Sequence, residues 1–298
     1  MTQEVSTCLL CGSNLSSLFD RRTFRDFQIT NRICDHCGLV YESPRMTEEE
    51  TDEFYKREYR LTHDRHEGPT EKELAIQRAR ANALFNIIHA KIQKITRNLE
   101  IGCSAGFLLV KLKEQYHCDA AGIEPGIAFR DYAINQNLKV YSSMDELVQG
   151  GEERFDLITM SHVLEHLVDP IAYLVRLRES LLTQDGRLFI EVPNLYAHDC
   201  FEFSHLYSFS AHTLQQVLQQ SGFQIEHMVK HGQPRSRFTP LYINVLARPD
   251  PAGVALQPIE PERDVRIKRR TGIFMREFVR VLTFPGRPIK RAVVRLMK

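Results

Sequence analysis

Between residues 96 and 248, short apolar runs rich in β-branched residues alternate with stretches whose apolar positions recur every three or four residues. The runs near 97–101, AAGIE, LKVYS, FDLITM, GRLFIEV, FQIEHMVK and YINVLAR have strand length and bounding turn residues. Between them, FLLVKLKEQYH, residues 127–136, a short piece at 143–149, residues 171–182 and SAHTLQQVLQQSG read as helices. This alternation predicts an α/β fold: a mostly parallel sheet with helices on both faces. In such sheets a ligand lies outside the carboxyl ends of the strands.

The flanks have other patterns, and no internal repeat joins them to the centre. Residues 46–95 read as a helical connector, with Ile76, Ala79, Ala83, Leu84, Ile87, Ile88, Ile92 and Ile95 close to one 3.6-residue face. Residues 1–45 hold two paired-cysteine knuckles joined by a segment with β-branched and aromatic residues. From 249 to 298, Pro249, Pro251, Pro258 and Pro261 mark a linker, and a basic tail follows.

Charge sharpens that division. The net charge of +1 conceals a tail, residues 261–298, with 12 Lys and Arg against 3 Asp and Glu; the other 260 residues sum to −8. Phe274, Phe278 and Leu282 alternate there with Arg276 and Arg280, followed by Lys290, Arg291 and Arg295. Such a segment can lie on an anionic membrane face or pack as a helix with solvated charges. The acidic body argues against nucleic acid as a partner, although Arg21, Arg22 and Arg25 are locally basic. No signal peptide or spanning run of about eighteen apolar residues is readable. With seven cysteines, an odd number, the expectation is reduced thiols in the cytoplasm, with the tail peripheral to the inner face of the membrane.

Two local patterns carry chemistry. In Leu99-Glu100-Ile101-Gly102-Cys103-Ser104-Ala105-Gly106-Phe107, two glycines permit a tight turn between a strand and a helix N-terminus suited to a carboxylate. Glu124 closes the next strand, where a carboxylate can accept hydrogen bonds from both hydroxyls of a ribose. The dinucleotide fingerprint fails because Ser104 and Phe107 occupy its second and third glycine positions. GCSAG also matches a hydrolase nucleophile elbow, and His162-Val163-Leu164-Glu165-His166 matches a metallopeptidase string, but neither sits in the expected series of elements. Near the N-terminus, Cys8-x2-Cys11 and Cys34-x2-Cys37 have tetrahedral zinc spacing, each pair followed by glycine. Four protein ligands close the coordination sphere and predict a structural zinc that folds a module too small to fold alone.

LEIGCSAG, AGIEPG, FDLITMSHVLEHLVDP, GRLFIEVPN and HLYSFSAHTLQQVLQQSGF, in that order, resemble the motifs of class I S-adenosylmethionine-dependent methyltransferases. CLLCG and CDHCGLVYESPRMTEEETDEFYKREY extend the likeness to bacterial enzymes with an N-terminal zinc module, some of which modify sugars and surface polysaccharides. The resemblance implies a Rossmann-like seven-stranded sheet with an antiparallel last strand over 96–248. It implies that Glu100, Gly102, Ser104 and Gly106 line the methionine end of S-adenosylmethionine and that Glu124 holds its ribose. Ser142 to Met144 should approach the adenine, with Ser161 and His162 beside the sulfonium.

Methyl transfer needs positioning of the acceptor, and a base only where the acceptor must lose a proton. His162, Glu165 and His166 after one strand, and His205 with Tyr207 after the next, are the candidates; histidine titrates near neutrality. Sugar C-methyltransferases carry Tyr-x-Glu-His where this chain has Glu202-Phe203-Ser204-His205, which shifts the expectation toward a hydroxyl acceptor. The leading reading is O-methylation of a sugar or glycan in surface polysaccharide synthesis. Methylation of another small molecule or of RNA, and a non-catalytic cofactor-binding assembly protein, remain as alternatives.

Overall fold

The computed structural model describes residues 3–24, 27–54, 68–199, 201–251 and 258–283. Two sheets organise it. The larger is built from β4 (Arg97–Ile101), β5 (Asp119–Ile123), β6 (Lys139–Tyr141), β7 (Phe155–Ser161), β8 (Leu182–Pro193), β10 (Phe223–His231) and β11 (Tyr242–Pro249). Their order is β10-β11-β8-β7-β4-β5-β6. Pairings from β6 to β8 are parallel, while β11 runs antiparallel to both neighbours. All seven strands lie where the alternating pattern puts them. The interior strands are apolar on both faces because helices cover both. Leu99, Leu157, Ile158 and Met160 are fully buried, each contributing roughly 1.5–3 kcal/mol of apolar burial.

The helices are α1 (Glu48–Glu53), α2 (Glu71–His89), α3 (Phe107–Tyr116), α4 (Ile127–Asn135), α5 (Met144–Gln149), α6 (Pro170–Arg176), α7 (Ala211–Gln220) and α8 (Val265–Thr283). Thr70 caps α2 reciprocally with Glu73, which fixes its start. Its core face is Leu74, Ala81, Leu84 and Ile88, while Ile76 is exposed, and Ile92 and Ile95 lie beyond its end. The single face expected over 76–95 therefore divides into a helical stripe and two buried loop residues. Helix α6 is shorter than the expected 171–182 segment: its last turn, Leu177–Leu181, widens to π geometry, and β8 starts at Leu182. Residues 55–67 of the expected connector and Cys200 lie outside the described residues.

The smaller sheet was legible only as a β-branched stretch. It has the order β1 (Ser16–Phe24), β2 (Phe27–Cys34), β3 (Val40–Glu42) and β9 (Tyr207–Ser208). Its fourth strand comes from the chain after β8, so the cysteine module and the large sheet share a strand connection. Cys8, Leu10, Cys37, Leu39 and Tyr41 join one buried cluster with Ile158, Leu164, Leu206, Phe209 and Leu214. The segment before α8 locks on as well. Glu262 N–H donates to the Cys37 carbonyl at 3.1 Å, and Gly38, at φ +84°, leaves space that a Cβ would lose against Glu262. Among the described residues, no helix is long and apolar enough to cross a membrane.

Candidate active site

The carboxyl ends of β4, β5, β7 and β8 meet at one rim. On the β4–β5 side, Gly102 and Gly106 have φ +70° and +76°, and Ser104 lies between them at φ +49°. The glycines are also packing necessities, since a Cβ on either would strike Val163 or Leu138. Glu124 ties the loop together: one carboxylate oxygen accepts from Ser104 N–H at 2.9 Å, the other from Gly126 N–H at 2.9 Å. A carboxylate oxygen can accept more than one hydrogen bond, which is the chemistry that receiving ribose hydroxyls needs.

Glu100 stands behind that loop in β4, 6% exposed, with one oxygen buried and without a hydrogen-bond partner. Burial pushes its carboxyl up to about 8, and the neighbouring Glu124 adds to the effect. Two carboxylates at a water-poor loop fit a cationic ligand, because a positive charge relieves both the orphaned oxygen and the repulsion. S-adenosylmethionine, with its sulfonium and ammonium groups, has that character. Ser142, at the end of β6, gives its N–H to Glu146 at 2.6 Å and its hydroxyl to the same carboxylate oxygen at 2.5 Å.

The β7–β8 side is built differently. His162 follows β7 at φ +56°, a left-handed conformation that costs a non-glycine residue roughly 1–3 kcal/mol. Its ring lies between two buried carboxylates, with Nδ1 3.3 Å from Glu165 and Nε2 3.4 Å from Glu191. Glu191 also accepts from Ser161 Oγ at 3.1 Å and holds His231 Nε2 at 2.9 Å. Burial opposes ionisation of Glu191, but the His162 ring beside it and the hydrogen bond with His231 outweigh that and hold this carboxyl well below its ordinary range. In turn, burial would lower His231, and Glu191 reverses that to raise it.

Glu165 heads the second half of this side. Its burial is opposed by His162 and the other imidazoles, which hold it below the ordinary carboxylate range. His166 is pushed down to about 4 by burial and is neutral at pH 7. Its Nδ1 lies 2.7 Å from the Ser204 carbonyl; a neutral ring must donate there, which leaves Nε2 as an acceptor. The His205 ring stands 4.7 Å from it, and Glu165, His166 and His205 offer ligand-type atoms within 4.8 Å of one another. The metallopeptidase string is therefore folded around Glu165: His162 lies between Glu165 and Glu191, and His166 between Glu165 and His205.

Among the expected catalytic residues, the structure brings His162 and His205 to this rim through Glu165 and His166. Tyr207 lies in β9, 2% exposed, and its hydroxyl donates to the Val168 carbonyl at 3.1 Å beneath Arg45. This contact braces the smaller sheet against the turn before α6. The aromatic loop preceding His205 is equally tied down. Phe203 stacks on Phe27 at 3.9 Å, and Phe201 meets Phe19 edge-on at 6.0 Å. Sequence reasoning missed Glu191, His231 and the fully buried Tyr242, whose ring is surrounded by His162, His198 and His231. A lone acid inside LFIEV was the available signal for Glu191; His231 reaches it only because β10, β11 and β8 are neighbours.

The four module cysteines converge as their spacing requires. Cys8 and Cys37 sulfurs are 3.5 Å apart, as are those of Cys11 and Cys34, and all four lie within 4.8 Å of one another. Zinc–thiolate bonds of about 2.3 Å in a tetrahedron separate the sulfurs by about 3.8 Å, so the set fits that ion. Gly12 at φ +71° and Gly38 at φ +84° close the two knuckles, their N–H groups donating to the Cys8 and Cys34 carbonyls.

Comparison with known proteins identifies the class. A family model described as a methyltransferase domain matches residues 57–228, more than half of the chain. No curated protein matches. Among solved structures, the chain is similar to the 1,6-didemethyltoxoflavin-N1-methyltransferase of Burkholderia thailandensis, with TM-score 0.55 and 18% identity over 78% of this chain and 99% of that one. A magnesium protoporphyrin IX methyltransferase from Synechocystis PCC 6803 aligns with TM-score 0.49 and 12% identity over 68% of this chain and 100% of that one. The Burkholderia likeness shows the Rossmann-like fold already visible in the strand order, and with the family match it establishes that this chain belongs to the methyltransferase-domain family, as an enzyme of the S-adenosylmethionine-dependent class.

Proposed function

We propose that this enzyme binds S-adenosylmethionine at the β4–β5 rim and methylates a hydroxyl of a sugar or glycan presented at the β7–β8 rim. Glu124 would hold the ribose, the Gly102–Gly106 turn and the start of α3 the methionine end, and Glu100 would face the cationic part. When bound, the cofactor supplies a methyl group already activated on sulfur. The protein's own task is then to orient the acceptor and take its proton. His205 and His162 are our candidates for that proton, with Glu191 and Glu165 stabilising the imidazolium that results. Tyr207, engaged with Val168, is assigned to positioning. We further propose that Cys8, Cys11, Cys34 and Cys37 hold a structural zinc that fixes β3 against β9 and thereby the His205 loop.

The observation that carries the hydroxyl assignment is the pairing of carboxylates with imidazoles around His162 and His205. An acceptor with a free lone pair, such as a neutral amine, needs no proton acceptor at the moment of attack, whereas a hydroxyl does. The glycan class is supported by the resemblance of the ordered motifs and of the N-terminal module. Transfer of labelled methyl from S-adenosylmethionine into fractionated cell extract tests the reading. Label in nucleotide-sugar or lipid-glycan fractions, lost in both Glu124→Ala and His205→Ala, is the expected result. Label in RNA or protein would overturn the acceptor class, and label in no fraction would favour a non-catalytic assembly role.

A further inference from the structure

Helix α8 is docked with its polarity reversed. The side turned to the body carries Val265, Arg269, Gly272, Ile273, Arg276 and Glu277, and Arg269 and Glu277 are only 6% and 5% exposed. The two arginines are satisfied by the body and the glutamate within the helix. Arg269 donates to the carbonyls of Leu195 and His198 and lies 4.2 Å above the Phe201 ring, and Arg276 donates to the Ala197 carbonyl at 3.1 Å. Glu277 pairs with Arg280 at 2.7 Å. Gly272 permits the close approach, since a Cβ there would collide with the Tyr196 backbone.

The opposite side is apolar and faces outward. Ile267, Phe274, Phe278 and Leu282 are 64%, 47%, 51% and 67% exposed, and with Met275 they form one stripe at spacings of seven, four and four residues. A surface helix ordinarily buries such a stripe and exposes its charges. Here the fold spends buried arginine contacts to hold the apolar stripe in solvent. The stripe is bordered by exposed Arg270 on one side and on the other by half-exposed Lys268, which also pairs with Glu262 at 3.3 Å. The chain that follows, residues 284–298, contains Arg287, Lys290, Arg291, Arg295 and Lys298 and no acid. Basic borders beside an apolar stripe match a surface that is apolar at depth and negatively charged at its face, which is the interfacial zone of an anionic bilayer.

We propose that the outward face of α8 lies in the plane of an anionic membrane, with Phe274, Phe278 and Leu282 in the headgroup–acyl boundary and Lys268 and Arg270 at lipid phosphates. The inward face grips residues 195–198, the start of the segment that leads to His205, so docking would set the acceptor rim at a fixed place relative to the bilayer. Within α8, Arg269 and Glu277 are buried against the body, while Arg266, Lys268 and Arg270 stay exposed beside the apolar stripe.

Sedimentation of the full-length protein with vesicles tests this. Phosphatidylcholine vesicles containing about one-third phosphatidylglycerol should bind at least about tenfold more protein than phosphatidylcholine alone. Phe274→Asp with Phe278→Asp should lose at least about tenfold of that binding, and Arg270→Glu, which leaves the apolar stripe and the Lys268–Glu262 pair intact, should lose several-fold. Both variants alter exposed side chains, and an unchanged melting temperature checks their folding. Equal binding to both vesicle types, or wild-type binding by both variants, would overturn the proposal. So would a concentration-dependent dimer that Phe274→Asp with Phe278→Asp converts to monomer, which would assign the stripe to a second copy of the chain. None of these readouts uses methyl transfer, so they stand or fall apart from the acceptor assignment.

Discussion

The two halves of the candidate active site handle buried charge in opposite ways. On the β4–β5 side, Glu100 and Glu124 sit near each other, and Glu100 is driven up to about 8 by burial. On the β7–β8 side, Glu165 and Glu191 are more deeply buried, at 1% exposure each, yet both are held low because imidazoles face them. Depth of burial therefore does not decide the charge state; the neighbours do. In the first half a buried Glu100 oxygen has no hydrogen-bond partner, a setting that suits a cationic ligand. The second sets imidazoles beside its carboxylates, and an imidazole can take up the proton that an acceptor hydroxyl must lose.

Removing Glu124 should break the first half outright. Glu124→Ala deletes the acceptor for two loop N–H groups and the groups assigned to the ribose. At about 1.5–3 kcal/mol per charged hydrogen bond, affinity for S-adenosylmethionine should fall by at least about 100-fold in calorimetric titration. The second half should fail differently. Glu191→Gln removes the anion between His162 and His231, and turnover should drop by about 100-fold with cofactor affinity within about threefold of wild type. Loss of both together would mean that the halves are not separable.

Acidity offers a finer separation. Below about 8 the Glu100 carboxyl is protonated, and binding a cation there must expel that proton. Cofactor affinity should therefore strengthen by up to about tenfold per pH unit from about pH 6 and level off above about 8, a slope that Glu100→Gln abolishes. The same group sets the sign for the free protein. Its folded value lies above the ordinary 4.5, so the folded state keeps a proton that the unfolded chain releases, and stability declines as pH rises between about 4.5 and 8. A melting temperature that rises across that window in the free protein, through this group, would contradict the assignment.

The smallest expected effect concerns the cysteine module. Cys11→Ser, or removal of metal by a chelator, should lower the unfolding midpoint by about 6–12 °C. Turnover should fall with it, because β3 supports β9 and the His205 loop, while cofactor affinity holds. A midpoint unaffected by both treatments would remove zinc from the account.

How much of this was legible beforehand depended on sequence distance. The glycine turn, Glu124 and the cysteine knuckles are local patterns, and local patterns survive in a one-dimensional reading because backbone geometry alone dictates them. The strands of the large sheet were legible for the same reason. Glu191 meeting His231 was not, since it depends on three strands being laid side by side from residues 182 to 249. Tyr207 looked like a candidate for chemistry because it follows His205 closely. In the fold its side chain crosses to the Val168 carbonyl, a contact between segments 39 residues apart that adjacency in sequence does not reveal. Most instructive is α8, whose periodicity was readable but whose orientation was not. Periodicity marks two faces and leaves open which one the body takes, and here the backbone carbonyls of residues 195, 197 and 198 select the arginine face.

The most direct test of this division of labour is a titration of S-adenosylmethionine into Glu191→Gln alongside wild type and Glu124→Ala. Glu191→Gln should bind within about threefold of wild type while Glu124→Ala loses binding. If Glu191→Gln loses binding as completely as Glu124→Ala, the two halves form one cofactor site and the proposed proton-handling side does not exist.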